Sequence, residues 1–167
     1  MARDTGPLEL HQDKVAPEWI DYNGHMNIAY YVLAFDRATD AFFKHVGALH
    51  EYREQHGQAL FTLELHVTYE RELVVDAPIR FTTQVLGLDH KRLHLFHAMY
   101  HADEGYLAAT NDMLLINVDI ARRRSAPIRP EVYAALDRVW SAQRRLAVPP
   151  QAGRKVSIGG GRPATPA

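Results

Sequence analysis

The sequence predicts an α+β fold, a curved antiparallel sheet wrapped around one long helix. Three observations lead there. Tyr31, Phe35, Ala38, Phe42 and Val46 recur at spacings of three and four, which marks one apolar face of a helix. Four later segments, between Phe61 and Asp119, have the character of strands longer than the usual ~5–6 residues. They follow one another through turn-like links, as in a meander. A long meander curves, and the long apolar helix is the element it can wrap.

In chain order, Leu8 to Val15 reads as a short extended stretch ending near Pro17, and a loop Asp21–Gly24 follows. The helix runs from about Met26 to Val46, with Asp36, Arg37, Asp40 and Lys44 on much of its remaining surface. Asn27 or His25 lies near its N-cap, and Gly47 is its stop. Glu51–Gln58 is a polar link. Phe61, Leu63, Leu65, Val67 and Tyr69 then alternate with Thr62, Glu64, His66 and Thr68, the period of a strand. Pro78 opens the next strand, carrying Ile79, Phe81 and Val85, and Gly87–His90 is turn-like. Lys91–His101 and Tyr106–Asp119 supply two more, joined by Asp103-Glu104-Gly105. Arg129-Pro130-Glu131 starts a second helix, reaching about Leu146, with Pro130 at an N1-like position. Residues 1–148 therefore read as a single domain. Residues 149–167, rich in Pro, Gly, Arg and Lys and containing Gly159-Gly160-Gly161, read as a flexible C-terminal tail.

Composition removes several function classes. The chain has 167 residues, 47% of them hydrophobic, enough to bury roughly two-thirds of its unfolded surface. With 19 basic and 20 acidic residues it lacks the charge of a general nucleic-acid binder. No apolar run approaches the ~18 residues of a membrane span. The opening MARDTGPLEL lacks the apolar core of a signal peptide. There is no cysteine, which excludes disulfides and thiolate chemistry. These features predict a soluble cytoplasmic protein without nucleic-acid or membrane partners.

The most informative stretch is Trp19 to Tyr31, WIDYNGHMNIAYY. It puts Asp21 three residues before Gly24, with His25 and Asn27 just beyond and a helix directly after. A carboxylate is thereby set beside a helix N-terminus, whose free N–H groups stabilise developing negative charge. The bland alternative for Asp21 is a turn or capping residue. Trp19, Tyr22, Tyr30 and Tyr31 cluster around this acid, and core packing claims at least two of them. His94 points away from His97 and His101 on its strand, so the three histidines do not converge on a metal.

The order of elements and the Asp-x-x-Gly-His-x-Asn core, with Phe35 and Asp36 as an aromatic-acidic pair in the helix, resemble the hotdog-fold 4-hydroxybenzoyl-CoA thioesterase family over about residues 8–140. Within that family WIDYNGHMN is similar to the betainyl-CoA thioesterase group, as are Phe61–His66, Lys91–His97 and Met113–Asp119. The resemblance implies hydrolysis of an acyl-CoA, with coenzyme A as part of the substrate and no separate cofactor. Asp21 would act as general base for water or as a nucleophile, with His25 and Asn27 completing the catalytic set and Gly24 among the substrate-binding residues. Trp19, Tyr22 and Tyr30 would contact a cationic acyl group through their ring faces. Glu64 would be a reserve base or counter-charge, with a weaker case for Asp112. The run Arg122-Arg123-Arg124 is the best cluster for the phosphates of coenzyme A. The resemblance further implies a homodimer or homotetramer with the site between subunits. For a betainyl acyl group, the reaction yields betaine and coenzyme A in carnitine catabolism. A hotdog dehydratase or hydratase, using Asp36, and a non-catalytic acyl-CoA binder are the alternatives. One position departs from the family pattern: its second asparagine is Ile28 here.

Overall fold

The computed structural model describes residues 6–157. Its elements follow the predicted order. They are β1 (Leu8–Lys14), α1 (Ile28–Val46), α2 (His50–His56), β2 (Gln58–Tyr69), β3 (Pro78–Leu88), β4 (Arg92–His101), β5 (Leu107–Asp119), β6 (Arg124–Ser125) and α3 (Pro130–Gln143). The sheet is antiparallel in the order β1-β3-β4-β5-β2, with β6 paired to the end of β5. It curls around α1 in the hotdog arrangement.

Helix α1 forms where the periodicity predicts, because its apolar positions match the concave face of the sheet. Two clusters of buried residues meet along it. Tyr31, Ala34 and Phe35 pack with Ile79, Phe81 and Met99 near the N-terminal half. Phe42, Phe43 and Val46 pack with Leu93, Leu95 and Leu115, and with Leu136 of α3, near the C-terminal half. Burying each large apolar side chain contributes about 1.5–3 kcal/mol. Between the clusters lies His97, fully buried. Thr39 Oγ1 donates to the Phe35 carbonyl at 2.9 Å and so accepts from His97 Nε2–H at 3.1 Å, which leaves Nδ1 to accept from Thr83 Oγ1 at 3.0 Å. Both ring nitrogens are thus paired with the ring neutral, and burial pulls the His97 pKa down to about 4.

Five details differ from the sequence reading. The polar link after α1 contains a short helix, α2. It is held by Tyr52, which is 2% exposed and whose hydroxyl lies 2.9 Å from Gln58 Oε1 and 3.1 Å from Asn117 Oδ1. Pro17–Trp19 forms one 3-10 turn before the Asp21 loop, and β6 adds a two-residue strand. The alternation of β2 is broken by a bulge between Thr62 and Glu64. Thr62 pairs with Leu115 and Glu64 with Leu114, so these two side chains stand on opposite faces. Finally, residues 149–157 lie across the outer face of the sheet rather than free of it. Pro149, Pro150 and Gln151 lie near Phe96 and Ala98, which are only 3% and 6% exposed although they point away from α1. Gly153 N–H donates to Asp112 Oδ2 at 2.7 Å, and the Arg154 carbonyl accepts from His66 Nδ1 at 2.7 Å. The apolar outer face of β4 explains this strap. The triple glycine at 159–161 lies outside the described residues.

Candidate active site

The Asp21 loop is a tight reversal built from the residues the sequence singled out. Ile20 and Met26 form an antiparallel bridge, and Asp21 N–H donates to the His25 carbonyl at 3.0 Å. Gly24 N–H donates back to the Asp21 carbonyl at 3.0 Å. Gly24 has φ +79°, the left-handed conformation that favours glycine. Asp21 Oδ1 accepts from Asn23 N–H at 2.8 Å. The loop is anchored at both sides: Met26 N–H donates to the Leu73 carbonyl and Asn27 N–H to the Trp19 carbonyl, both at 2.8 Å.

Asn27 has two roles. Its Oδ1 accepts from Ala29 N–H at 3.0 Å and caps α1, while its Nδ2 donates to Asp21 Oδ2 at 3.4 Å. The cap therefore also holds the carboxylate at the helix start. The N–H of Ile28, first in the helix, has no partner among the described residues and is a free donor there. A half-buried acid, an amide fixing it and a free helix N–H make an arrangement able to activate water or attack a carbonyl while stabilising the resulting oxyanion.

Beside this loop opens a cleft of about 510 Å³, lined by His25, Met26, Ile28, Tyr31 and Tyr69, and by Glu70 to Glu72 from the turn after β2. His25 Nε2 lies 3.6 Å from Glu72 Oε1. Tyr31 and Tyr69 meet at 86° with ring centroids 5.1 Å apart. Burial pushes the Tyr31 phenol up to about 12, so it stays neutral at ordinary pH. A larger groove of about 770 Å³ lies at the other end of α1, between Leu8, Val46 and α3, but no carboxylate lines it among the described residues. The smaller cleft is the one that adjoins the Asp21 loop, through His25 and Met26.

Several predicted site residues stand elsewhere. Trp19 is 4% exposed and does not wall a pocket. It stacks on Tyr30 at 5.7 Å, and the Arg37 guanidinium lies 5.1 Å over its ring. The chain's own arginine thus takes the place foreseen for a substrate cation. Tyr22 is 97% exposed at the loop tip. Glu64 is on the outer face of the sheet, where with His66, His94 and Asp112 it lines a separate cleft of about 320 Å³. There His94 Nε2 lies 2.5 Å from Asp112 Oδ1. Burial raises the Asp112 pKa, but the hydrogen bonds from His94 and Gly153 outweigh it and hold the carboxyl below its ordinary value. Arg122, Arg123 and Arg124 follow β5 at its Asp119 end, whereas Tyr69 pairs with Ala109 near the other end, about 33 Å away along the strand at ~3.3 Å per residue. Asp36 is exposed on α1, away from the cleft, so it cannot serve there as a dehydratase acid within this chain.

Sequence reasoning missed Tyr69 and Glu72 as neighbours of Tyr31 and His25. Their signal is faint: the alternation of β2 ends at Tyr69 in the charged run Glu70-Arg71-Glu72. Tyr31 was read as core, and it is, but its ring also borders the cleft.

The sequence profile of the thioesterase-like superfamily matches residues 15–136, which span the Asp21 loop, the whole of α1 and the sheet after β1. The chain belongs to this superfamily. A betainyl-CoA thioesterase of Pseudomonas aeruginosa is 40% identical over 151 residues, covering 90% of this chain and 95% of that protein. An L-carnitine dehydrogenase/betainyl-CoA thioesterase of Agrobacterium fabrum is 37% identical over 147 residues, and there the matched part is only 30% of the relative's length. Among solved structures, a hypothetical protein of Staphylococcus aureus in complex with CoA aligns with TM-score 0.84 and 32% identity, over 92% of this chain and 97% of that one. The DHNA-CoA thioesterase of Staphylococcus aureus, at TM-score 0.72 and 17% identity over 78% of this chain and 89% of its own, shares the fold. This thioesterase is a thioester hydrolase with the hotdog architecture.

Proposed function

We propose that this thioesterase hydrolyses betainyl-CoA to betaine and coenzyme A, with Asp21 as the reacting carboxylate and carnitine breakdown in the cytoplasm as its setting. The observation that carries the mechanism is the pairing of Asp21 with Asn27 at the mouth of α1, where one residue both caps the helix and orients the acid. The thioester carbonyl lies against the free N–H of Ile28. Asp21 then either draws a proton from the attacking water or attacks the carbonyl itself to form a mixed anhydride that water afterwards hydrolyses; in both cases the coenzyme A thiolate leaves and betaine is released. Hydrolysis requires no further cofactor, since water and the carboxylate supply the chemistry. The relative of known name that spans nearly its whole length with this chain supports the acyl group.

The same reading includes self-association. β2 is a free sheet edge of 12 residues carrying Phe61, Leu63, Leu65 and Tyr69, each more than 40% exposed. A long apolar edge of this kind recruits another strand. A second copy paired antiparallel there sets its Gln58 end beside the Tyr69 end of the first. That arrangement carries Arg122, Arg123 and Arg124 of the second copy toward the Asp21 cleft, where they can meet coenzyme A phosphates.

The test is thiol release from a panel of acyl-CoAs. Wild type should prefer betainyl-CoA, and Asp21→Asn should lose about 10²–10⁴-fold in rate. Full activity in Asp21→Asn would overturn the mechanism. Leu63→Lys should yield a monomer by light scattering and lower the activity; an active monomer would remove the two-subunit site.

A further inference from the structure

A betainyl group confines its recognition to a small volume. Its quaternary nitrogen is one methylene from the reacting carbonyl, so the two atoms are only about 2.5 Å apart by ordinary bond geometry. Whatever holds the cation must therefore adjoin Asp21. Trp19 and Tyr30 cannot hold it, because Trp19 is buried, Tyr30 stacks on one face of it, and the Arg37 guanidinium already lies over its ring. The cleft beside His25 offers what they lack. Tyr31 and Tyr69 form a right-angled corner of two neutral rings. Ile28, 65% exposed, supplies an apolar wall for N-methyl groups at the position where the family pattern has an amide. Glu72 supplies negative charge, with His25 as its sole ionic neighbour among the described residues. Arg71 also borders the cleft, but its guanidinium lies 3.9 Å over Tyr106 and reaches Glu104. Glu70 is engaged by Thr68, Gln151 and Arg154 of the strap.

We infer that Tyr31, Tyr69, Glu72 and Ile28 form the seat of the quaternary ammonium and set the acyl specificity of this enzyme. The inference rests on Asp21 as the reacting acid and on a betainyl substrate. Tyr69 and Glu72 contact the cation and not the reacting carbon, so they act on the choice of substrate more than on the chemical step. Ile28 explains itself in this arrangement: an asparagine there would turn a polar amide toward three methyl groups.

The experiment compares kcat/KM for betainyl-CoA with that for 3,3-dimethylbutanoyl-CoA, which replaces the charged nitrogen by carbon at nearly the same shape. Wild type should favour the cation at least tenfold. Tyr69→Leu should cut that ratio by about three- to thirty-fold. Tyr69→Phe, which keeps the ring, should retain it. Glu72→Gln should lower the ratio as well, and the wild-type preference should weaken with added salt, since Glu72 is exposed. Hydrolysis of the neutral substrate, falling far less in each variant, reports that the protein is folded and the acid in place. Equal loss on both substrates, or a ratio unmoved in both Tyr69→Leu and Glu72→Gln, overturns the seat. If wild type prefers betainyl-CoA while the variants keep its ratio, the seat alone falls. If wild type does not distinguish the two substrates, the betainyl reading falls with it.

Discussion

The two ends of α1 are finished in opposite ways. At the C-terminal end Gly47 turns left-handed at φ +74°, its N–H donates to the Lys44 carbonyl, and Ala48 N–H donates to the Phe43 carbonyl. This is a Schellman closure, and Phe43 and Ala48 are both buried there with Phe42 and Leu136. At the N-terminal end the cap is polar, the N–H of Ile28 has no partner among the described residues, and a half-buried acid is held by the capping asparagine beside an open cleft. One end turns its apolar surface inward and is complete. The other leaves polar groups short of partners, which costs stability and leaves them available to a substrate. One helix thus anchors the fold at one end and, in the mechanism proposed here, carries the chemistry at the other.

Substitutions along the helix can break or sharpen this contrast. The largest effect belongs to the closed end. Phe42→Ala should cost about 3–5 kcal/mol in denaturant unfolding, with kcat of the folded fraction nearly unchanged. A large loss of kcat at intact stability would erase the division. Next is His97, at the boundary between the clusters. Its pKa is about 4 folded against an ordinary 6.5, so the unfolded chain binds a proton there more readily than the folded one. Its contribution is full above pH 6.5 and declines as pH falls toward 4, to a total of about 3 kcal/mol. Unfolding curves from pH 7 to 4 should show this slope, and His97→Gln should flatten it. At the open end, Asn27→Ala should lower stability by about 1 kcal/mol and lower kcat as well, because the cap and the Asp21 contact share one side chain. A stability loss with kcat untouched would separate the two roles. The smallest effect is at Gly47. Gly47→Ala should cost about 1 kcal/mol through its left-handed backbone and leave thiol release unchanged.

Much of the fold was legible in the sequence. Five long elements and α3 stand within a few residues of where periodicity sets them, because each carries a periodic apolar face, which all but the edge strand β2 bury. α2 escaped detection since a seven-residue polar helix presents little pattern, and Tyr52 alone fixes it. The β2 bulge was hidden because alternation in the sequence runs straight through it. The strap was hidden because Pro and Gly suggest freedom, while its anchors, Asp112, His66 and Glu70, are far away in the chain.

The sequence by itself determined the geometry at the start of α1: Asp21, Gly24, Asn27 and the helix they precede are near neighbours in the chain, so local hydrogen bonding sets their arrangement. Tertiary structure alone decided what surrounds them. It buried Trp19 against Tyr30 and Arg37, and it moved the arginine run to the far end of β5. It also brought Tyr69 and Glu72 from the end of β2 to face Tyr31 and His25. The physical reason is range. Caps and turns act over a few residues, whereas the wall of a cleft is chosen by how a curved sheet closes on its helix.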